Sequence, residues 1–327
     1  MSEPKLSVVT VSWMTGERLM DSVKSVLATP AVDEFVFVNH VNPPATVVEL
    51  RDLAAENPKF KLIETGANLG FGKGCNLGAE VATGELLLFL NPDAVLVPTA
   101  ADQLMQSASQ MKGEAWIIGG RILNDDGSEQ RGARRGELTL RSAAVSFLGL
   151  ERLMPWLGSI HWEDEQLPEA LVEVPTVSGA AMLIPREVFA RHGGFDERYF
   201  LHVEDIDLCR TMRNAGGRVF FEPRANILHY GGTSETSPLF VETHKAAGLV
   251  KYFWKFYPSV FERTGTVVMA VPVFLAIWAR VAWHLVKNRV NRVLKREEVR
   301  EPGKSRLPAT RGTSASPPQQ DVKRSEA

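Results

Sequence analysis

Residues 86–94 read LLLFLNPDA. Leu86–Leu90 is an unbroken apolar run, too short for a typical buried helix and without the polar alternation of a half-exposed strand. Bounded by Gly84 before it and Asn91-Pro92 after it, the run predicts a strand covered on both faces, as parallel sheets require. The flanking sequence supplies the rest of such a sheet. Residues 6–13, residues 35–38, Phe60–Glu64 and Trp116–Leu123 are further short strand-like runs. Between them, residues 17–28, 47–55, 72–82 and 99–111 have helical character. This alternation predicts an α/β, Rossmann-like fold with a mostly parallel sheet and helices on both faces.

After Leu123 the pattern changes. Asn124-Asp125-Asp126-Gly127 is a strong turn signal. Helices are expected at 141–154, Arg186–Arg191 and from about 205 to 215, strands at 177–184 and 218–222, and an aromatic amphipathic helix at 245–256. Beyond Glu301, Pro, Ser, Gly and charge dominate, which predicts disorder.

Composition narrows the class. The 327 residues are 44% hydrophobic and 23% charged, ordinary globular values that exclude collagen-like, disulfide-stapled and wholly disordered chains. Two cysteines, Cys75 and Cys209, make neither a disulfide framework nor a cysteine-rich zinc site and suit a reducing compartment. The net charge of −2 argues against nucleic acid as a partner. Residues 287–327 hold eleven Lys/Arg and five Asp/Glu, a net of +6, so the remainder carries −8. An acidic body with a basic tail next to an apolar stretch points to an anionic membrane surface.

That apolar stretch is residues 266–286, interrupted by Pro272, Arg280 and His284. A span needs about 20 mostly apolar residues, so an interfacial helix anchored by Trp278 and Trp283 is the first reading. A buried C-terminal helix is the second reading and a span the last. The N-terminus runs directly into a strand pattern and shows no leader of the secretory kind.

Four loops carry polar residues at predicted strand ends, where open α/β sheets place their sites. In residues 65–78, TGANLGFGKGCNLG, Cys75 breaks a GxGxxG pattern, and Ala67 and Gly74 break a phosphate-loop pattern. What remains is a glycine-rich turn into a helix, with Asn68, Gly70, Lys73 and Asn76. It suits an anionic ligand or, equally, close helix–sheet packing. Asn91-Pro92-Asp93 offers one carboxylate to a divalent cation, or a turn before a helix. Glu204, Asp205 and Asp207 exceed what helix capping needs, although the helix dipole favours each of them. His229 closes the fourth loop. A lone histidine there is usually structural, but in company with Asp93 it becomes a candidate ligand. Arg134 and Arg135 could meet phosphate, an exposed basic pair being the plainer reading.

These blocks, NLGFGKGCNLG (68–78), LLLFLNPDA (86–94), SGAAMLIPREVF (178–189), GGFDERYF (193–200), EDIDLCRTMRNAGGRV (204–219) and HYGGTS (229–234), together resemble family 2 glycosyltransferases of the GT-A fold, bacterial rhamnosyltransferase-like members above all. The resemblance covers roughly residues 6–260. It implies a GT-A domain over 1–260, with a nucleotide-binding part to about 123 and an acceptor part after it. A C-terminal helix over 261–298 and a tail over 299–327 would follow.

The resemblance further implies inverting transfer of a sugar, rhamnose among the candidates, from a dTDP-, UDP- or GDP-linked donor to a glycan or polyprenol-diphosphate acceptor. Such an enzyme would sit on the cytoplasmic face of the inner membrane. By residue, it implies Asp93 and His229 as ligands of Mg²⁺ or Mn²⁺ and Asp205 as the base, flanked by Glu204. Thr10, Ser12, Trp13, Asn39, Asn68, Gly70, Lys73, Asn76 and Asn91 fall in the donor region. The sequence departs from the family at Asn39-His40, where Asp-Asn is usual, at Met14, and at Asn91. A catalytically degenerate scaffold is therefore the alternative. A nucleotidyltransferase would need an Arg-containing glycine loop after the first strand, and VSWMTGERL has none.

Overall fold

The structure is a computed structural model, and it describes residues 4–111, 113, 115–147, 160–232, 237–261, 263–268, 271, 275, 278, 279, 282 and 283. Residues 1–281 form one compact unit. Its elements are β1 (Leu6–Ser12), α1 (Leu19–Leu27), β2 (Glu34–Asn39), α2 (Pro44–Glu56), β3 (Phe60–Glu64), α3 (Phe71–Val81), β4 (Leu86–Leu90), β5 (Ala94–Val95), α4 (Pro98–Gln110) and β6 (Trp116–Leu123). There follow β7 (Arg134–Arg135), α5 (Leu140–Phe147), β8 (Val172–Glu173), β9 (Thr176–Val177), β10 (Ala181–Pro185), α6 (Arg186–Arg191), α7 (Glu204–Asn214), β11 (Arg218–His229) and α8 (Pro238–Phe256).

The main sheet runs β3-β2-β1-β4-β10-β6-β11-β5, with β8 added on β11. β3, β2, β1 and β4 are parallel, as are β6 and β11, while β10 runs antiparallel between the two groups. The decisive run behaves as its apolar continuity requires. Leu86, Leu88 and Leu90 pack on one face with Val8, Phe35, Leu50 and Leu104. Leu87 and Phe89 pack on the other with Val9, Val36, Cys75 and Met212. A strand alternates its side chains, so only an unbroken apolar run can fill two cores at once.

Two strand expectations change. Residues 177–184 do not form one strand: β9 pairs with β7 in a separate ladder, and β10 joins the main sheet. The chain switches sheets at Ser178-Gly179-Ala180, where Asn91 donates its backbone N–H to the Ala180 carbonyl. β11 runs on past Glu222 to His229, because a register shift between Glu222 and Asn226 absorbs Pro223, which cannot donate to the ladder. α8 begins at Pro238, seven residues before expectation. Proline suits a first helical turn, and Ser237 caps the helix by accepting from Phe240 N at 3.2 Å.

A third apolar cluster (Leu138, Tyr199, Val203, Ile206, Leu249, Tyr252, Phe253) fixes α8 against α7. Polar contacts reinforce that docking. Asp207 accepts from Tyr199 at 2.9 Å and from Lys255 at 2.7 Å, and Arg210 donates to the hydroxyls of Tyr252 and Tyr257, each at 3.1 Å. Asp207 is thus engaged in structure. The end of the expected helix at 141–154, most of residues 266–286, Thr233-Ser234 of the last motif and the tail lie outside the described residues.

Candidate functional site

A cleft of about 910 Å³ opens where β4 and β11 end and α7 begins. Asn91, Arg135, Gly179, Glu204, Asp205 and His229 all line it. Residues separated by more than a hundred positions are thus brought to one depression at the carboxyl ends of parallel strands.

Asp93 is 6% exposed and does not itself line the cleft; its Oδ1 stands 3.0 Å from Nε2 of the cleft-lining His229. Asn91 Nδ2 stands 3.1 Å from the same Nε2. The opposite ring nitrogen, Nδ1, lies 2.6 Å from Gln130 Oε1. Gln130 has one orientation open to it, because its amide nitrogen faces two acceptors, Asn124 Oδ1 and the His229 carbonyl, each at 3.1 Å. Its carbonyl oxygen therefore accepts from Nδ1–H, which turns Nε2 toward the Asp93 carboxylate. Such a donor set fits a hard divalent cation that takes one carboxylate and one imidazole and completes its shell with substrate phosphate oxygens. Among the described residues no three His, Cys, Asp or Glu side chains gather to hold a metal by themselves.

Asp205 and Glu204 stand at the start of α7, after two residues of positive φ, His202 (65°) and Val203 (75°). A β-branched residue there is strained and persists only because packing holds it, a condition frequent at functional sites. Asp205 Oδ2 accepts from Arg135 Nη2 at 2.5 Å and from Gly179 N at 3.1 Å, while Oδ1 accepts from Ile206 N at 2.8 Å. Burial alone would push the Asp205 carboxyl up, but Arg135 and the backbone donors outweigh it, so its pKa is lowered. Glu204 moves the other way, pushed up to about 8 by burial and then by the charge of Asp205. Its Oε2 is buried and has no hydrogen-bond partner. The two neighbours are thus pushed apart, one ionised and one protonated at neutral pH, as in acid–base sites.

The remaining predicted donor-side residues are buried or engaged within the chain, Thr10 Oγ1 being buried with no hydrogen-bond partner. Thr10 and Ser12 are fully buried in β1. Ser12, Thr15, Asn39 and Asn42 form one buried network, in which Asn39 Oδ1 accepts from Asn42 Nδ2 at 2.8 Å and Ser12 Oγ reaches Thr15 Oγ1 at 3.0 Å. Trp13 packs its ring 6.3 Å from that of Phe240 on α8. Asn68 Oδ1 accepts from Gly70 N at 3.0 Å, and Lys73 reaches Glu197 at 3.5 Å. Asn76 clamps the backbone of Phe195 through two hydrogen bonds, 2.8 and 2.9 Å. Of these donor-side residues, Asn91 lines the cleft.

The basic pair is not an exposed one. Arg134 is buried on Glu129 at 2.8 Å, and Arg135 turns inward onto Asp205. Arg131 and Lys245 line the cleft as well. Gln130, Arg131 and Lys245 carried no motif in the sequence. The one available signal was the Arg134-Arg135 doublet beside a strong turn.

The profile of the family Glycosyl transferase family 2 matches residues 7–193. The chain is 32% identical over 185 residues to the N-acetylglucosaminyl-diphospho-decaprenol L-rhamnosyltransferase of Mycobacterium tuberculosis, covering 53% of this chain and 59% of that protein. It is 27% identical over 180 residues to the rhamnosyltransferase WbbL of Escherichia coli K12, covering 51% and 62%. The chain thus spans less than two thirds of either relative. Among solved structures it resembles GalNAc-T7 with UDP, GalNAc and Mn²⁺ (TM-score 0.57, 18% identity, 79% of this chain and 49% of that one). It also resembles the mannosyltransferase PcManGT of Pyrobaculum calidifontis in complex with GDP-Man and Mn²⁺ (TM-score 0.51, 15% identity, 89% and 81%). At these identities the likeness is one of fold, an α/β architecture with GT-A-like neighbours.

Proposed function

Since the chain belongs to glycosyl transferase family 2, we propose that it is an inverting, cation-dependent glycosyltransferase of cell-surface glycan synthesis. Its donor is a nucleotide-diphosphate sugar, with rhamnose first among the candidates. Its acceptor is a hydroxyl of a glycan, carried on a polyprenol diphosphate as the name of the mycobacterial relative suggests. The observation that carries this reading is the shared cleft. Asn91 and His229, both in contact with each other and the latter with Asp93, line the same cavity as Asp205.

In this mechanism Asp93 and His229 would hold Mg²⁺ or Mn²⁺, with Asn91 beside them and Gln130 orienting the imidazole. Such a cation, when bound, offsets the charge that develops on the departing diphosphate. Asp205 takes the proton of the acceptor hydroxyl as that oxygen attacks the anomeric carbon. The bond from this carbon to the diphosphate oxygen breaks, and its electron pair leaves with the nucleoside diphosphate. Attack opposite the leaving group inverts the centre. The burial around Glu204 keeps its carboxyl protonated beside the base, where it can donate to a sugar oxygen.

A peripheral position on the membrane is part of the proposal. Among the described residues, no helix is long and apolar enough to cross a membrane. Val250, Trp254, Val267, Val271, Leu275 and Trp278 line an apolar groove, and Phe261 beside it is 90% exposed. An apolar face of this kind, in a chain whose sequence goes on to the basic residues 287–296, supports contact with an anionic surface.

The test is a screen of dTDP-, UDP- and GDP-sugars with membrane extract as acceptor, with and without EDTA. Transfer from one donor, abolished by EDTA and restored by Mn²⁺, is expected. Calorimetry with the same panel plus Mn²⁺ that finds no binding would favour a scaffold that kept the fold.

A further inference from the structure

The Arg135–Asp205 contact poses a difficulty for the base just assigned. A carboxylate offers about four lone-pair sites. Three of them on Asp205 accept from Arg135, Gly179 and Ile206. The two backbone donors are fixed parts of the fold. Arg135 is not: it is a long side chain, 14% exposed, and its charge opposes any proton arriving on Oδ2. For Asp205 to act, the guanidinium has to be drawn away. A neutral sugar hydroxyl cannot compete with a carboxylate 2.5 Å distant. A phosphate can, because it carries charge and matches the planar fork of arginine.

The surroundings of Arg135 are those of an anion site. Arg131 and Lys245 line the same cleft, and the charges of Arg131, Arg135 and Lys245 all bear on the half-buried His161. Burial and those three charges push His161 down to about 4, so it adds no charge of its own near neutral pH. Arg131 also reaches Glu163 at 3.8 Å, and it lines the cleft together with Arg135, Lys245 and Asp205. Beside them Leu138, Ile160 and Leu249 form an apolar wall belonging to the cluster that seats α8. Cations beside hydrocarbon suit an anionic amphiphile.

We propose that Arg135, with Arg131 and Lys245, forms a subsite for a phosphate ester carried by the acceptor, and that filling this subsite draws Arg135 off Asp205 and frees the base. The proposal rests on the glycosyl-transfer reading above and deepens it. The acceptor's phosphate becomes a condition of turnover as well as a handle. The step itself is unchanged: the hydroxyl proton passes to Asp205 Oδ2, the C–O bond to the acceptor forms, and the bond to the donor diphosphate breaks. Arg135 is a positioning residue, acting through Asp205. The anion is assigned to the acceptor and not to the donor because Arg135 touches the group that has to meet the acceptor hydroxyl.

Two measurements test this. In the first, inorganic pyrophosphate is titrated calorimetrically into the full chain with EDTA present, so that no metal takes part. Wild type is expected to bind. Arg135→Gln and Lys245→Gln should each weaken binding about tenfold or more, the usual loss for a hydrogen bond to a charged group. Saturating UDP or dTDP should not displace the pyrophosphate. No binding, equal binding by Arg135→Gln, or displacement by a nucleoside diphosphate would overturn the subsite, the last by assigning the cations to the donor.

In the second, kcat/KM is compared for a lipid-diphosphate glycan and for the same glycan as a phosphate-free alkyl glycoside. Wild type should favour the diphosphate about a hundredfold or more, as a site built for a charged group does. Arg135→Gln should collapse that ratio by losing far more on the lipid diphosphate than on the glycoside, and Arg135→Lys should fall between. Equal losses on both acceptors would mean that Arg135 only supports the fold, and the latch fails. If wild type transfers to neither acceptor, the glycosyl-transfer reading fails, and the pyrophosphate titration still decides the subsite.

Discussion

Two helices that meet in this molecule each begin after a residue of positive φ, and one of them does so without glycine. α3 follows Gly70 at 90°, and α7 follows Val203 at 75°. At Gly70 the reason is room as well as conformation, since a Cβ there would stand 2.7 Å from the Phe200 carbonyl. That carbonyl accepts from Phe71 N at 3.0 Å, and Asn68 accepts from Gly70 N at 3.0 Å, so protein groups take the donors of these two residues. At Val203 the strain is held by burial and by α8, where Gly248 lets the backbone close in. A Cβ on Gly248 would sit 3.1 Å from a Val203 methyl. Glycine thus marks where the chain must pack tightly. A strained valine in front of two carboxylates marks where packing is used to aim them.

The largest effect that can break this contrast is at α7. Asp205→Asn keeps the shape and the Gly179 contact but removes the proton acceptor. Transfer should fall by about 10²–10⁴-fold, the range for a positioned base, with the circular dichroism spectrum unchanged. Wild-type turnover in that variant would remove α7 from the chemistry. At α3 the expected loss is in stability. Gly70→Ala combines a strained φ with a clash against backbone and should cost about 2–3 kcal/mol in a denaturant melt. Gly127→Ala, at φ 80° with open space around it, should cost about 1 kcal/mol or less. Equal costs would mean that the close approach to Phe200 contributes nothing.

Smaller effects sharpen the chemistry of the cleft. Gln130→Leu removes the acceptor that fixes the proton on His229 Nδ1. Mn²⁺ affinity, read by the electron paramagnetic resonance of free Mn²⁺, should drop about 10–100-fold, the usual cost of losing such an outer partner. Glu204→Gln should act on stability in a pH-dependent way. The folded chain holds the Glu204 proton up to about 8, whereas the unfolded chain releases it near 4.5. Between those values the folded state binds more protons, so the stability of the wild type falls as pH rises through that window. The glutamine variant lacks that loss, and its Tm advantage should grow from pH 5 to pH 8. A constant difference would mean that Glu204 titrates normally.

The fold was legible because the strands of the N-terminal half are short apolar-rich runs separated by clear turns. Leu86–Leu90, Phe60–Glu64 and Trp116–Leu123 fall where the pattern put them. The part after Leu123 was harder to read. Pro223 imitates a strand end that a bulge in fact absorbs. In 177–184 Ser178-Gly179 is the one signal of a break, and the apolar residues on either side of it let the run be read as a single strand across the change of sheet. In the site, the acidic and histidine loops could be read because carboxylates at strand ends are chemically conspicuous. Arg135 and Gln130 could not, since their roles come from side chains across the cleft and not from spacing along the chain.

Lys73 carries the smallest predicted effect and the sharpest test of what a glycine-rich loop means. The loop's composition, with a lysine at a helix start, suits an anionic ligand. In the structure Lys73 instead stands half-exposed, 3.5 Å from Glu197, in a helix start whose first amide, that of Phe71, already donates to the Phe200 carbonyl. An exposed pair of this kind contributes little, about 1 kcal/mol at most. Lys73→Ala should therefore leave donor KM within about twofold, since a surface substitution away from the cleft shifts free energies by only a few tenths of a kcal/mol. A tenfold rise in donor KM would show that the side chain swings to the diphosphate when the donor binds. In that case the two helix starts differ in timing and not in kind: α7 is aimed before the substrate arrives, and α3 after it.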